Sequence, residues 1–250
     1  MKRLLIRADD LGFSEAVNYG ICRSVRDGLV GSVGIMTNMP DAAQGVRLLD
    51  RCDVCFGQHT NICTGRPLTD PSLIPSLVNE NGEFKSSREY RDAFSKGEDF
   101  VVLDEVIQEI KAQYFRFKEL TGRQPEYFEA HAVNSDNLYA GLKSVSEEFG
   151  LPLLPFSFEP VPFKSSMVRA KMGSMYPDYD PYSYIYEVAD GLTEEYVDVL
   201  VCHPGYLDAY LLKHSSLTLP RAMEVEMLCD PAVRENLDQR DIDLVRYSDL

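Results

Sequence analysis

Three features of the sequence predict an α/β fold, a TIM-barrel-like (β/α) barrel in one domain spanning residues 1–250. Strand-like and helix-like segments alternate from one end of the chain to the other. No internal repeat, charge block or linker divides them. A chain of 250 residues favours a barrel over a small open sheet. The strand-like segments number seven, one fewer than a regular barrel has, so the predicted barrel is irregular.

Residues 3–8 read as the first strand. Ser14 suits an N-cap, and Val17, Ile21 and Val25 then fall on one face of a helix closed by Gly28. SVGIMT (32–37) is a second strand, and 41–50 suits a helix with Val46 and Leu49 inward. DVCFGQH (53–59) is a third strand. The Gly- and Pro-rich stretch that follows it, to Phe84, is long enough to read as a functional loop or a lid. Residues 99–121 carry the longest helical pattern, ended by Gly122. EYFEAH (126–131) is strand-like, 136–149 helical up to Gly150, and LPLLPF (151–156) strand-like. Residues 157–190 are rich in Pro, Ser and Tyr and periodic in neither sense, and read as a second long loop. YVDVLVCH (196–203) is an apolar strand. A helix near 220–228 comes next, then a second one capped by Asp230 and Pro231, then a last strand at 242–247.

The formal net charge of −15 argues against a nucleic-acid backbone or an anionic membrane as partner. The apolar run after Met1 is too short for a secretory signal, and no stretch approaches a membrane span, so a cytoplasmic protein is expected. The six cysteines read as reduced thiols; Cys52 and Cys55 have a CxxC spacing, but Cys55 lies within a strand and no second CxxC exists.

Three of the four histidines close an apolar strand: His59, His131 and His203. Asp9 and Asp10 close the first strand in the same way. Adjacent carboxylates repel, and a cation is the simplest answer to that repulsion. In a parallel βα protein the strand ends share one face, where barrels do their chemistry. A single strand-end histidine is more often structural than a ligand, but the set points to a shared metal site. One carboxylate with two imidazoles suits Zn²⁺, Mn²⁺, Fe²⁺ or Ni²⁺ and tolerates Mg²⁺. A neighbouring carboxylate can take a proton from an acidified water, and a third histidine can protonate a leaving amine. His214 reads as a surface or helix-end residue. Arg221 and Glu224, three apart on a helix, read either as a surface ion pair or as residues that bind a substrate end or support the site. Tyr176, Tyr179, Tyr182, Tyr184 and Tyr186 suit a sugar-stacking platform or plain loop packing. Pro204-Gly205 suits a tight turn in which the glycine lets backbone approach a ligand.

RADDLGFSEAVNYGI (7–21) resembles the opening signature of the YdjC/ChbG family of carbohydrate deacetylases. The resemblance continues through GQHTNICTGRPL (57–68), IPSLV (74–78), NGEF (81–84), HPGY (203–206) and RAMEVEMLCDP (221–231). It implies a barrel-like fold of the glycoside hydrolase/deacetylase type and removal of an N-acetyl group from an amino-sugar oligosaccharide such as a chitooligosaccharide or diacetylchitobiose. It also implies a divalent metal, Mg²⁺ or Zn²⁺, with Mn²⁺, Co²⁺ and Ni²⁺ as alternatives, held by Asp10, His59 and His131. Asp9 becomes the general base and His203 a general acid or oxyanion partner. Asn61, Gly205, Arg221 and Glu224 become candidate substrate-binding residues. One block departs: the family commonly has an Asp-x-His run with further histidines, and this chain reads Glu129-Ala130-His131-Ala132-Val133.

The expected protein is therefore a metal-dependent hydrolase of amide bonds acting on a small acetylated amino sugar, without nucleic-acid or membrane partners and with a homodimer left open. Another metal-dependent hydrolase, such as a phosphoesterase, is the nearest alternative. It lacks support from a Lys/Arg cluster or a Gly-rich phosphate cradle near the Asp pair. A non-catalytic sugar-sensing or partner-binding protein on the same scaffold is the other, kept open by the altered 129–133 run.

Overall fold

The structure is a computed structural model that describes residues 1–154 and 156–250. In chain order the elements are β1 (Lys2–Leu11), α1 (Glu15–Arg26), β2 (Ser32–Ile35), α2 (Ala42–Leu48), β3 (Cys55–Thr60), α3 (Ser87–Ser95), α4 (Leu103–Thr121) and β4 (Phe128–Ala130). They continue with α5 (Asp136–Phe149), β5 (Val161–Phe163), β6 (Ser166–Lys171), α6 (Pro181–Asp190), β7 (Val197–Cys202), α7 (Ala209–His214), α8 (Leu219–Leu228), α9 (Pro231–Gln239) and β8 (Ile242–Val245). The strands are bonded in the order β4-β3-β2-β1-β7-β6-β5, with β8 on β1 off that path. This is the irregular, barrel-like βα sheet that the sequence predicts, with seven strands along its path. No helix among the described residues is long and apolar enough to cross a membrane.

The chain divides into two compact units. The first comprises Met1–Gly34, Pro40–Phe56 and Pro155–Leu250. Its centre is β1, where Leu4, Leu5 and Ile6 are buried, as a strand covered on both faces requires. β1 pairs in parallel with β7, Arg3 opposite Val197 through Ala8 opposite Cys202. Its first half also pairs with β8. β6 runs parallel to β7 with Arg169 opposite Asp198. The register thus brings the Arg169 guanidinium to the fully buried Asp198 carboxylate at 2.7 and 3.1 Å, which neutralises a charge inside the sheet. α1 starts where the sequence predicts: the Ser14 hydroxyl accepts from the amide of Val17. α9 likewise starts at Asp230, whose carboxylate accepts from the amide of Ala232.

The second unit comprises Ile35–Met39 and Gly57–Leu154. Here β3 and β4 run in parallel, and α4 and α5 pack on each other. Val106, Ile110 and Phe117 of α4 and Leu138, Leu142 and Val145 of α5 are fully buried. Each such side chain contributes about 1.5–3 kcal/mol. Gly122 and Gly150 end these helices at φ 70° and 64°, the left-handed C-cap that glycine adopts without strain.

Two readings change. Residues 157–190 are not a loop throughout: β5 and β6 form an antiparallel hairpin and α6 follows. The Pro at 162 sits in β5, the edge strand of the path, where a missing donor is tolerated. The strand expected at 151–156 is reduced to one bridge, Leu153 to Phe128, and Pro155 lies outside the described residues. The stretch after β3, read as a functional loop or a lid, is anchored at its far end. Ile74, Leu77 and Phe84 are buried in the core of the second unit. α3 follows it with a capping box between Ser86 and Glu89.

Candidate functional site

The sequence-predicted residues fall into two clusters, one in each unit.

In the first unit, Asp9 and Asp10 end β1, buried at 3% and 1% exposure. Two adjacent buried carboxylates demand compensation, and each has its own arginine. Arg7 lies two residues before Asp9, hence on the same strand face. Its Nε donates to Asp9 Oδ1 at 2.6 Å and its Nη2 to Oδ2 at 2.8 Å. Such a fork-on-fork pair fixes the plane of the carboxylate. Arg221 comes from α8 and donates through Nη2 to Asp10 Oδ2 at 2.6 Å. Asp10 itself adopts φ 74°. A non-glycine residue pays roughly 1–2 kcal/mol for that conformation, a strain that concentrates at functional positions.

His203 follows β7 directly and is half-buried. Arg221 Nη1 reaches its carbonyl oxygen at 3.4 Å, while its amide donates to Glu224 Oε2 at 2.6 Å. Arg221 and Glu224 therefore grip the His203 peptide from α8, and both are buried, at 2% and 0% exposure. This is not the surface ion pair that their spacing suggested. The Tyr179 hydroxyl donates to Glu224 Oε1 at 2.9 Å. Burial pushes the Glu224 carboxyl up to about 7, against the lowering effect of these two donors and of Arg221. On the imidazole, Nδ1 stands 3.2 Å from the Ser174 hydroxyl. Gly205 lies against α1: a Cβ on Gly20 would come within 2.4 Å of its Cα. Of the clustered tyrosines, Tyr179 and Tyr182 spend their hydroxyls on Glu224 and Asp230, and Tyr176 is exposed. His214 ends α7 on the surface, its Nδ1 2.9 Å from the Tyr210 carbonyl.

In the second unit, the β3–β4 register sets His59 opposite Glu129. His131 is two residues beyond Glu129 and so continues on the same face; its amide donates to the Thr60 carbonyl at 2.9 Å. The result is a tight group: His59 Nε2 lies 2.9 Å from His131 Nδ1, and His59 Nδ1 lies 3.2 Å from Glu129 Oε1. The residue after His131, Ala132, has φ 54°. A 2.9 Å approach is that of an N–H···N bond between neutral imidazoles. It also fits two nitrogens on one cation, which at bonds of about 2.0–2.1 Å stand roughly 2.8–3.4 Å apart. The donor chemistry of this pair, two imidazoles with a carboxylate behind one of them, therefore suits a divalent metal.

Asn61 is fully buried and turned to its own loop. Its Oδ1 accepts from the amides of Cys63 and Thr64 at 3.0 and 3.1 Å. Gln113 accepts from its amide, and Glu109, buried beside Gln113, accepts from the amides of Leu68 and Thr69 at 3.1 and 2.9 Å. This chain ties the segment after β3 to α4.

Sequence reasoning missed Arg7, Ser174 and the role of Tyr179. Arg7 carried a signal, its two-residue spacing from Asp9 on a strand. Ser174 carried none.

The model of the YdjC-like protein family matches residues 3–239. "Carbohydrate deacetylase 2" of Listeria innocua is 35% identical over 257 residues, covering 99% of this chain and 98% of that protein. A chitooligosaccharide deacetylase of Yersinia enterocolitica is 28% identical, covering 99% of each chain. Among solved structures, an Enterococcus faecalis protein described as a cellobiose-phosphate cleavage protein superposes with a TM-score of 0.84 at 25% identity, covering 99% of this chain and 98% of that one. A likeness of fold alone extends to the Xyl-CE4 domain of a multidomain xylanase from the hindgut metagenome of Trinervitermes trinervoides. Its TM-score is 0.54 at 10% identity, with 99% and 88% of the two chains covered.

Proposed function

The chain belongs to the YdjC-like family, and from that premise we propose that it is a metal-dependent carbohydrate N-deacetylase, acting as one functional domain over residues 1–250. The substrate in this reading is an acetylated amino-sugar oligosaccharide of the chitooligosaccharide class, as in the name of the Yersinia relative. Hydrolysis of its amide releases acetate and leaves a free amine. Six free thiols accord with a cytoplasmic setting.

Asp10, His59 and His131 are the residues that would hold the ion, whether Mg²⁺, Zn²⁺, Mn²⁺, Co²⁺ or Ni²⁺. When bound, it supplies positive charge for the acetyl carbonyl oxygen and lowers the pKa of water. Asp9 takes the proton of the attacking water. Arg7 occupies one acceptor site on each of its oxygens, and a carboxylate has about four such sites, so room for that water remains. The leaving amine receives its proton from His203, or from Asp9 once it has been charged. With Ser174 at Nδ1 of His203, Nε2 is the nitrogen that serves the amine. Arg221 and Glu224 support the site by fixing the His203 peptide, and Arg221 also steadies Asp10. Asn61 acts from within, holding the loop after β3, and Gly205 lets the turn after His203 pack on α1.

The observation that carries this reading is the His59–His131 approach with Glu129 behind it. Its test is acetate release from short N-acetylglucosamine oligomers by metal-stripped protein re-supplied with each ion in turn. Release that requires metal and disappears in His59→Ala is expected. Metal binding without release from any acetylated sugar would favour a non-catalytic sugar-binding protein instead.

A further inference from the structure

The altered 129–133 run holds a residue whose contact gives it a defined task. Glu129 stands directly opposite His59 in the β3–β4 ladder, and its Oε1 lies 3.2 Å from His59 Nδ1. Both side chains are almost wholly buried, at 3% and 4% exposure. The opposite nitrogen, Nε2, faces His131 Nδ1 at 2.9 Å. A neutral imidazole carries one proton on one of two nitrogens, and the partner of one nitrogen decides the state of the other. A carboxylate can only accept, so it favours the proton on the nitrogen that it faces.

We infer that Glu129 is a positioning residue: it holds the His59 proton on Nδ1 and so presents Nε2, unprotonated, to the cation that His59 and His131 would share. This rests on the reading of His59 as a metal ligand. The arrangement is specific to glutamate here. An aspartate on the same backbone would draw the carboxylate back by about 1.5 Å, one carbon–carbon bond, and out of reach of Nδ1.

The test uses the full chain with its metal removed, at about pH 8, where an ordinary imidazole is neutral. Four histidines give a sparse long-range ¹H–¹⁵N spectrum, in which the His59 signals are those lost in His59→Ala. Wild type should show the Nδ1–H tautomer at His59. Glu129→Ala should show a mixture of tautomers, and its Zn²⁺ affinity, measured by competition with a chelating dye, should fall about 10- to 100-fold. Glu129→Asp should behave as Glu129→Ala does. Glu129→Gln, whose carbonyl oxygen can accept from Nδ1–H, should keep the tautomer and most of the affinity.

Folded Glu129→Ala that keeps both tautomer and affinity overturns the inference. So does a loss of affinity with the tautomer unchanged, which would make Glu129 a ligand itself. A different result, Zn²⁺ affinity unaffected by His59→Ala, would instead remove the metal reading on which the inference stands.

Discussion

The carboxylates that end β1 and the imidazoles that end β3 and β4 are held by different means. Asp9 and Asp10 are charged, adjacent and buried, and each is matched by a buried guanidinium, Arg7 or Arg221. One of these arginines is local and the other arrives from a helix more than two hundred residues away. The imidazoles of His59 and His131 are placed by strand register, by each other and by one carboxylate. The difference follows from charge. A buried carboxylate without a cation loses several kcal/mol of solvation, so the protein supplies the cation itself. A neutral imidazole needs only a direction for its proton, and a neighbouring acceptor gives it one. The first cluster is thus set by electrostatics within the chain, while the second is set by strand register and by the direction of a proton.

The largest effects should come from breaking the first cluster. Asp9→Asn keeps the shape of the side chain but removes the carboxylate proposed as the base. Turnover should fall by roughly 10²–10⁴-fold, with Zn²⁺ affinity retained. Turnover like that of wild type would take the base role from Asp9. Arg221→Met removes the guanidinium that meets the buried Asp10 carboxylate. Urea denaturation of the metal-free protein at neutral pH should show a loss of about 3–5 kcal/mol, and added metal should restore part of it by neutralising Asp10. A loss that metal leaves untouched would separate Asp10 from metal binding.

The same contrast explains what was legible in the sequence. His59, His131, His203 and the Asp pair could be placed because each terminates an apolar run, and strand ends read directly from such runs. Glu129 was visible as a departure, but its contact with His59 needed the β3–β4 register, which no local pattern states. The Arg221–Asp10 bond was out of reach for the same reason. The region 157–190 was misread on subtler grounds. β5 is three residues long with a proline in its middle, so it offers no period to detect. α6, however, opens with Asp180-Pro181, the same cap and first-turn proline that identified the helix after Asp230. Ser86-x-x-Glu89 similarly announced α3. Those two helices were readable.

Glu224 tests the electrostatic half more finely. Its carboxyl is pushed from its ordinary 4.5 up to about 7 by burial, so the folded protein holds a proton there that the unfolded chain releases. Stability should therefore fall as pH rises from about 4.5 through 7, by up to about 3 kcal/mol at about 1.4 kcal/mol per tenfold change in proton affinity. Glu224→Gln removes this dependence. Its denaturation midpoint should vary less between about pH 5 and pH 8 than that of wild type, and an unchanged slope would show that Tyr179, Arg221 and the His203 amide already stabilise the charged form.

The smallest expected effect lies at Ser174, and it bears on which group protonates the leaving amine. A neutral hydroxyl 3.2 Å from His203 Nδ1 contributes about 1 kcal/mol when its hydrogen bond is lost. Ser174→Ala should therefore lower kcat only about fivefold, with KM little changed. If His203 is the acid, the pH at which kcat is half-maximal should also move, because the proton on Nε2 is tuned by whatever meets Nδ1. Ser174→Thr, which keeps a hydroxyl, should restore both. A fall in kcat without any movement of the pH profile would point to Asp9, recharged by the attacking water, as the proton donor. His203 would then serve the reaction through its position alone.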